Sequence, residues 1–137
     1  MISRTLIKVR SYHLDAYGHV NNSRYLEFLE EGRWALVDNT IDLAETQRRG
    51  FGFVVVNINI NYRRPAGLDT VLEVRSSVSR VKEKSAVIHQ EVGVEGGDTV
   101  FADADVTFVM IDMKSGGAVP LLDSVREALR RFEDGGA

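Results

Sequence analysis

Residues 15–22 (DAYGHVNN) place a carboxylate, an imidazole and two side-chain amides within one short segment. The segment directly precedes the longest predicted helix, whose first backbone N–H groups lack intrahelical acceptors and favour negative charge. A carboxylate that faces such donors can attack an acyl carbonyl or activate water against it. Asp15 is therefore the first candidate for chemistry, with His19 and Asn22 as its candidate partners.

The same residues also have ordinary structural interpretations. An aspartate in a glycine-containing loop commonly forms a turn, and asparagine next to a helix start is a good N-cap. A histidine in such a loop is often simply exposed. The spacing alone therefore leaves catalysis and loop structure as alternatives for this segment.

Several other chemistries lack the residues that they need. The chain has no cysteine, which excludes disulfides, cysteine–zinc sites and a thiolate nucleophile. The spacing of His13, Asp15 and His19 matches no metal-ligand motif, and no Gly-x-Ser-x-Gly elbow occurs. We therefore expect neither a metal nor a cofactor.

Composition and charge restrict the class of protein. With 137 residues and 44% apolar side chains, we expect a single domain over residues 1–137 with a real core. The net charge of -3 disfavours nucleic acid as a partner. No apolar stretch is long enough to span a membrane, and the first residues do not resemble a signal peptide. We expect a cytoplasmic protein.

The elements around the segment predict an α+β fold. The spacing of apolar residues predicts a helix over 22–38, preceded by a first strand over 4–12. Gly32, inside that helix, would let it approach a sheet closely. A short helix over 41–49 and a terminal helix over 121–132 complete the helical part.

Four later segments alternate apolar and polar residues with a period of two, which predicts strands. In the first of them the apolar set is Val54, Val56, Ile58, Ile60 and Tyr62. Turn signals separate these segments, and short connections indicate antiparallel pairing. We expect a curved, five-stranded antiparallel sheet wrapped around a long central helix.

Basic residues cluster at the ends of the predicted strands, namely Arg63, Arg64, Arg80, Lys82 and Lys84. Such residues are usually solubilising. At a binding site they can also hold the phosphates of a carrier molecule.

The pattern VRxYHxDxxGxVxN over 9–22, followed by Tyr25-Leu26, resembles the signature of hotdog-fold thioesterases of the 4-hydroxybenzoyl-CoA/YbgC-like group. Residues 24–31 (RYLEFLEE) and 54–65 (VVVNININYRRP) are similar to one branch in particular, long-chain acyl-CoA thioesterase III of the FadM type. The detailed similarity covers roughly the first half of the chain. Beyond Pro65 it lies in the order and pattern of the elements.

The resemblance implies a hydrolase that cleaves long-chain fatty acyl-CoA in fatty acid metabolism. Asp15 would act as general base or as nucleophile, and these two roles remain open. His19 and Asn22 would complete the catalytic set, with the backbone N–H near Asn22 as the oxyanion site. The implied substrate-binding residues are Tyr17, Val20, Tyr25, Arg63, Arg64, Lys82 and Lys84.

The resemblance also implies an assembly. Two protomers would join their sheets edge to edge as a dimer, or as a homotetramer where dimers pair, and active sites would lie at the subunit interface. An acyl-carrier-protein thioesterase and a non-catalytic acyl-CoA binding module are the alternative functions. Rates on the two kinds of thioester, and binding without turnover, would distinguish them.

Overall fold

The computed structural model describes residues 1–38 and 40–133, and within them it contains six strands and three helices. The strands are β1 (Ser3–Lys8), β2 (Phe51–Tyr62), β3 (Val71–Val81), β4 (Ser85–Val94), β5 (Val100–Asp112) and β6 (Ala118–Val119). The helices are α1 (Asn22–Asp38), α2 (Leu43–Arg48) and α3 (Asp123–Arg130). In these residues no helix is both long and apolar enough to cross a membrane.

The strands form a single antiparallel sheet in the order β1-β3-β4-β5-β2, with β6 paired to β5. The predicted α+β class and antiparallel pairing are confirmed. The predicted number of five strands is wrong, because β6 folds back onto Met110 and Ile111 of β5. A strand of two residues is too short to show a period of two in the sequence.

The predicted first strand over 4–12 is also too long. β1 ends at Lys8, and Ser11–His13 form a 3₁₀ turn. The Arg10 N–H donates to Nδ1 of His13 at 2.8 Å, so it is satisfied locally and not by a neighbouring strand. The turn directs the chain away from the sheet and into the segment that carries Asp15.

β2 contains an irregularity that the sequence pattern does not show. Val55 pairs with Phe108 and Asn57 pairs with Thr107, so Val56 is the extra residue of a β-bulge. The bulge shifts the alternation of side chains within the strand.

As a result, the predicted burial of β2 is only partly correct. Val54 and Val56, which were expected on the buried face, are 40% and 56% exposed, and Val55 is 41% exposed. Beyond the bulge, Ile58 and Ile60 pack against the core as predicted. Three consecutive exposed valines therefore lie on an edge strand of the sheet.

α1 begins and ends where the sequence predicted. Its buried residues are Tyr25, Phe28, Leu29, Gly32 and Leu36. A Cβ atom on Gly32 would lie 2.5 Å from Cγ1 of Val74 and 2.9 Å from Nε2 of Gln90. The glycine therefore permits the close approach of helix and sheet that its position suggested.

Candidate active site

The segment that carries Asp15 is a closed loop between the 3₁₀ turn and α1. Leu14 and Val20 form an antiparallel bridge at its base. Inside the loop the Asp15 N–H donates to the His19 carbonyl at 2.8 Å, and the Gly18 N–H donates to the Asp15 carbonyl at 3.1 Å. Gly18 has a φ of 79°, a conformation in which glycine carries no steric penalty.

The Asp15 carboxylate is oriented by this loop. Its Oδ1 accepts the N–H groups of Tyr17 at 2.8 Å and His19 at 3.2 Å. In the described part of the chain no hydrogen bond to Oδ2 occurs and no basic side chain forms a salt bridge with Asp15. One oxygen therefore holds the side chain in place, while the other remains available to a reactant.

The start of α1 is capped by Asn21. The Asn21 side-chain oxygen accepts the Ser23 N–H at 3.0 Å and the Ser23 hydroxyl at 2.9 Å, and its carbonyl accepts the Arg24 N–H at 2.9 Å. Asn22 is the first residue of the helix. Among the described residues its N–H has no acceptor, so it is a free donor at the positive end of the helix.

The 3₁₀ turn connects these two parts of the site. The Asn21 N–H donates to the His13 carbonyl at 2.9 Å. The His13 ring is buried against Phe28, with ring centroids 5.0 Å apart. Burial, followed by the positive charge of Arg24, lowers the pKa of His13, so the neutral ring can keep Nδ1 as an acceptor for Arg10.

Asp15 and the start of α1 face one cleft of about 290 Å³. Its lining residues are Asp15, His19, Val20, Asn22, Tyr25, Tyr62, Arg63, Arg64 and Pro65. The structure thus brings together all three residues predicted for catalysis and four of the seven predicted for substrate binding. Tyr62 and Pro65 were missed as site residues, although both belong to the segment that carried the family resemblance.

Three predicted binding residues lie elsewhere. Tyr17 is 86% exposed and does not line the cleft. Lys82 and Lys84 lie in the connection between β3 and β4. β3 begins next to Lys8, near the cleft, and its 11 residues extend the connection about 35 Å away. Within one chain, Lys82 and Lys84 therefore do not reach the Asp15 cleft. The sequence shows basic residues at several strand ends, but it does not show that these strand ends lie at opposite ends of the sheet.

The two arginines of the cleft differ in their partners. Arg63 donates to both oxygens of Asp103, through Nε at 2.9 Å and Nη2 at 3.3 Å. This hydrogen bonding holds the pKa of Asp103 below its usual range and raises the pKa of Arg63. Arg64 forms no side-chain hydrogen bond or salt bridge with residues 1–38 or 40–133, so its guanidinium is available to an anion.

Tyr25 lines the cleft, but its hydroxyl is buried. Tyr25 is only 2% exposed, and its hydroxyl oxygen has no hydrogen-bond partner among the described residues. Burial raises its pKa to about 12, so the group stays protonated. The neighbouring Tyr62 hydroxyl is already committed, because it donates to the Asn22 carbonyl at 3.1 Å.

Among the described residues, no three or more His, Asp or Glu side chains are grouped as metal ligands. The site instead offers an oriented carboxylate, a free helix N–H, an imidazole and two arginines. These groups suit attack on a carbonyl and the binding of an anionic carrier.

Comparison with known proteins places the chain in a family. Residues 9–129 match the family model of the thioesterase-like superfamily. The chain is 48% identical over 129 residues to the long-chain acyl-CoA thioesterase FadM of Escherichia coli K12, covering 94% of this chain and 98% of FadM. It is 28% identical over 107 residues to the acyl-CoA thioester hydrolase YbgC of Escherichia coli O6:H1, covering 76% of this chain and 79% of YbgC.

Solved structures of similar proteins support the same family and fold. The crystal structure of the probable thioesterase YbaW from Escherichia coli superposes with a TM-score of 0.86 at 47% identity, covering 95% of this chain and 98% of that chain. The 1,4-dihydroxy-2-naphthoyl-CoA thioesterase Slr0204 from Synechocystis gives the same TM-score at 17% identity, with coverage of 95% and 96%, which shows the shared fold. The chain therefore belongs to the thioesterase-like superfamily.

Proposed function

We propose that this protein hydrolyses long-chain fatty acyl-CoA to a free fatty acid and CoA, with Asp15 as general base or nucleophile. The observation that carries the proposal is the cleft in which the Asp15 carboxylate and the first N–H of α1 lie together. Membership of the thioesterase-like superfamily supports thioester hydrolysis, and the name of the 48% identical relative FadM supports a long-chain acyl-CoA substrate.

The chemistry requires few groups. A thiolate is a good leaving group because thiol pKa values lie near 8.5, so a strong general acid is not essential. Asp15 Oδ1 is held by two backbone N–H groups, which leaves Oδ2 to attack the carbonyl or to take a proton from water. The Asn22 N–H stabilises the developing oxyanion, an interaction typically worth roughly 10²–10³ in rate.

The other cleft residues have secondary roles in this proposal. His19 lines the cleft beside Asp15 and can accept or donate a proton at the thioester. The buried Tyr25 ring packs against Tyr62, with ring centroids 5.6 Å apart, and supports the wall that Tyr62 forms. Val20 forms an apolar wall, and Arg64 binds a phosphate of CoA while Arg63 stays paired with Asp103.

The proposed assembly is a homo-oligomer of hotdog subunits, a dimer or a tetramer, in which two copies join their sheets edge to edge. β2 is one edge of the sheet and exposes three consecutive valines. An edge strand with unpaired backbone groups and apolar side chains favours pairing with another strand. We propose that β2 pairs with β2 of a second copy.

The catalytic proposal is tested by Asp15→Asn, assayed with palmitoyl-CoA and a thiol reagent. The amide oxygen of asparagine can still accept the Tyr17 and His19 N–H groups, so the loop is expected to keep its shape. We expect kcat to fall by about 10²-fold or more, because the charged oxygen is lost. Asp105→Asn, which changes an exposed carboxylate on β5, should keep the wild-type rate.

Two results would contradict the proposal in different ways. A folded Asp15→Asn protein with unchanged turnover would remove Asp15 from the mechanism. Wild-type protein without turnover on acyl-CoA of any chain length would refute the hydrolysis itself.

A further inference from the structure

The two groups on which the proposed reaction depends belong to different parts of the chain. The Asp15 carboxylate is carried by the loop before α1, whereas the free N–H of Asn22 belongs to the first residue of α1. Loop and helix are each held by their own hydrogen bonds, so neither alone fixes the distance between the two groups. That distance depends on how the two parts are joined, and the 3₁₀ turn Ser11–His13 contacts both of them.

His13 makes these contacts through its main chain and its ring. Its carbonyl accepts the Asn21 N–H at 2.9 Å, which is the hydrogen bond directly before the free N–H of Asn22. Its ring is buried and lies edge-on to Phe28 of α1, with ring centroids 5.0 Å apart and planes at 89°. His13 is also the last residue before the loop that carries Asp15. One residue therefore connects the start of the helix, the body of the helix and the loop.

The His13 ring also fixes the shape of the turn. Nδ1 accepts the N–H of Arg10, the residue that caps the turn, at 2.8 Å. An acceptor at Nδ1 requires a neutral ring with its proton on Nε2. Burial lowers the pKa of His13, and the positive charge of Arg24 acts in the same direction. Glu27 opposes this effect and Arg10 adds to it. The lowered pKa favours the neutral ring, which keeps its acceptor.

A second contact holds the turn against α1. Arg24, in the first turn of the helix, donates from Nη2 to the Tyr12 carbonyl at 3.1 Å, and its Nη1 pairs with Glu27 at 2.8 Å. The Tyr12 and His13 rings are in contact, with centroids 4.4 Å apart. Without the Nδ1 acceptor, the Arg10 N–H would lose its partner, and the turn would lose the bond that closes it.

We propose that His13 is a positioning residue, which holds the Asp15 carboxylate and the Asn22 N–H at the separation that the transition state needs. This inference rests on the proposed function, in which those two groups attack the carbonyl and stabilise the oxyanion. The oxyanion develops only in the transition state, so misplacing its donor lowers kcat and leaves KM nearly unchanged. Misplacement by about 1 Å can cost on the order of 10²-fold in rate.

Two substitutions separate the acceptor of His13 from its packing. His13→Phe keeps a ring against Phe28 but removes Nδ1, whereas His13→Asn loses the ring but can place Oδ1 where Nδ1 accepts the Arg10 N–H. With palmitoyl-CoA and a thiol reagent, we expect His13→Phe to lower kcat about tenfold or more and to keep KM within about twofold. His13→Asn should keep kcat within about threefold. Both variants are assayed well below their thermal unfolding midpoints.

His89→Phe is the matched control. The Nδ1 atom of His89 also makes a hydrogen bond, at 2.9 Å to Oδ1 of Asp105, but the residue lies on β4 and does not line the cleft. His89→Phe should therefore keep the wild-type kcat.

Arg24→Ala tests the same joint without changing the ring, and it keeps the proposal testable if His13→Phe does not fold. It removes the contact with the Tyr12 carbonyl and should lower kcat about threefold with KM nearly unchanged. An unchanged kcat in Arg24→Ala would contradict the role of the turn.

Amide hydrogen exchange, followed by NMR, reports on the joint independently of turnover. The Arg10 and Asn21 N–H groups should exchange faster in His13→Phe than in the wild-type protein and than in His13→Asn. Equal exchange in all three proteins would show that the ring does not hold the turn.

Three kinetic results would overturn the proposal. An unchanged kcat in His13→Phe, beside an active wild-type protein, would refute the positioning role and leave the proposed function intact. Equal losses of kcat in His13→Phe and His13→Asn would assign the effect to packing. A raised KM with unchanged kcat would place His13 in substrate binding. Absence of turnover in the wild-type protein, by contrast, would refute the proposed function itself.

Discussion

Arg63 and Arg64 are adjacent in the chain, yet the structure gives them different capacities for a ligand. Arg63 is held by Asp103 through two hydrogen bonds, whereas Arg64 has no side-chain partner among the described residues. A phosphate that approaches Arg63 must compete with a carboxylate already in place. Arg64 can bind the same phosphate without that competition.

We therefore predict that Arg64→Ala raises KM for palmitoyl-CoA about two- to fivefold, the range typical of an exposed ion pair, with little change in kcat. The effect should shrink at high salt, because exposed charges are screened. Arg63→Ala should raise KM less. S-palmitoyl-pantetheine, which lacks the nucleotide phosphates, serves as the control substrate and should show no difference between the variants. A larger effect from Arg63→Ala would contradict this assignment.

Among the residues of the site, closeness in the sequence explains why the three catalytic candidates could be found together. Asp15, His19 and Asn22 fall within eight residues, so any loop short enough to close brings them to one cleft. Tyr62 reaches that cleft only because the end of β2 comes close to the start of α1, where the Tyr62 hydroxyl donates to the Asn22 carbonyl. That contact spans forty residues and depends on tertiary packing, which a single sequence does not display.

Gly32 determines how closely α1 approaches the sheet. A Cβ atom there would lie within 3.0 Å of Val74 and Gln90, and 3.1 Å from the Ser76 hydroxyl. Alanine is the better helix former by about 1 kcal/mol, but overpacking a close contact typically costs about 1–3 kcal/mol. The contact cost should exceed the helix gain.

We predict that Gly32→Ala lowers the free energy of unfolding by about 1 kcal/mol, measured by urea denaturation. Glu31→Ala, on the exposed side of the same helix, should change it by less than about 0.5 kcal/mol. An increase in stability for Gly32→Ala would show that helix and sheet are not in such close contact.

The elements also show where a repeating pattern predicts structure and where it does not. α1 was predicted to its end residues because its apolar spacing and its asparagine cap agree. The first strand was overextended, since nothing in an alternating pattern reveals that Arg10 bonds to the His13 ring. In β2 the bulge at Val56 leaves the sequence alternation intact while changing which side chains are buried.

For the molecule as a whole, the two edges of the sheet differ in a way that bears on assembly. β1, at one edge, has 6 residues and carries Arg4 and Lys8, which form salt bridges with Glu73 and Asp69. β2, at the other edge, has 12 residues and exposes consecutive valines at its centre. Charged, short edges resist pairing, whereas long apolar edges promote it.

We predict that Val56→Lys on β2 converts the proposed homo-oligomer into a smaller species, measured by size-exclusion chromatography with light scattering. Leu6→Lys is the matched control, because Leu6 is 54% exposed on β1 and Val56 is 56% exposed on β2. Both variants place a lysine at an exposed apolar position of an edge strand, so only the choice of edge differs.

Dissociation by Leu6→Lys alone would assign the interface to β1, and a monomeric wild-type protein would refute the assembly. If a second copy also completes the cleft, Val56→Lys should lose thioesterase activity in parallel with the oligomer, because an exposed lysine far from Asp15 has no other route to the chemistry.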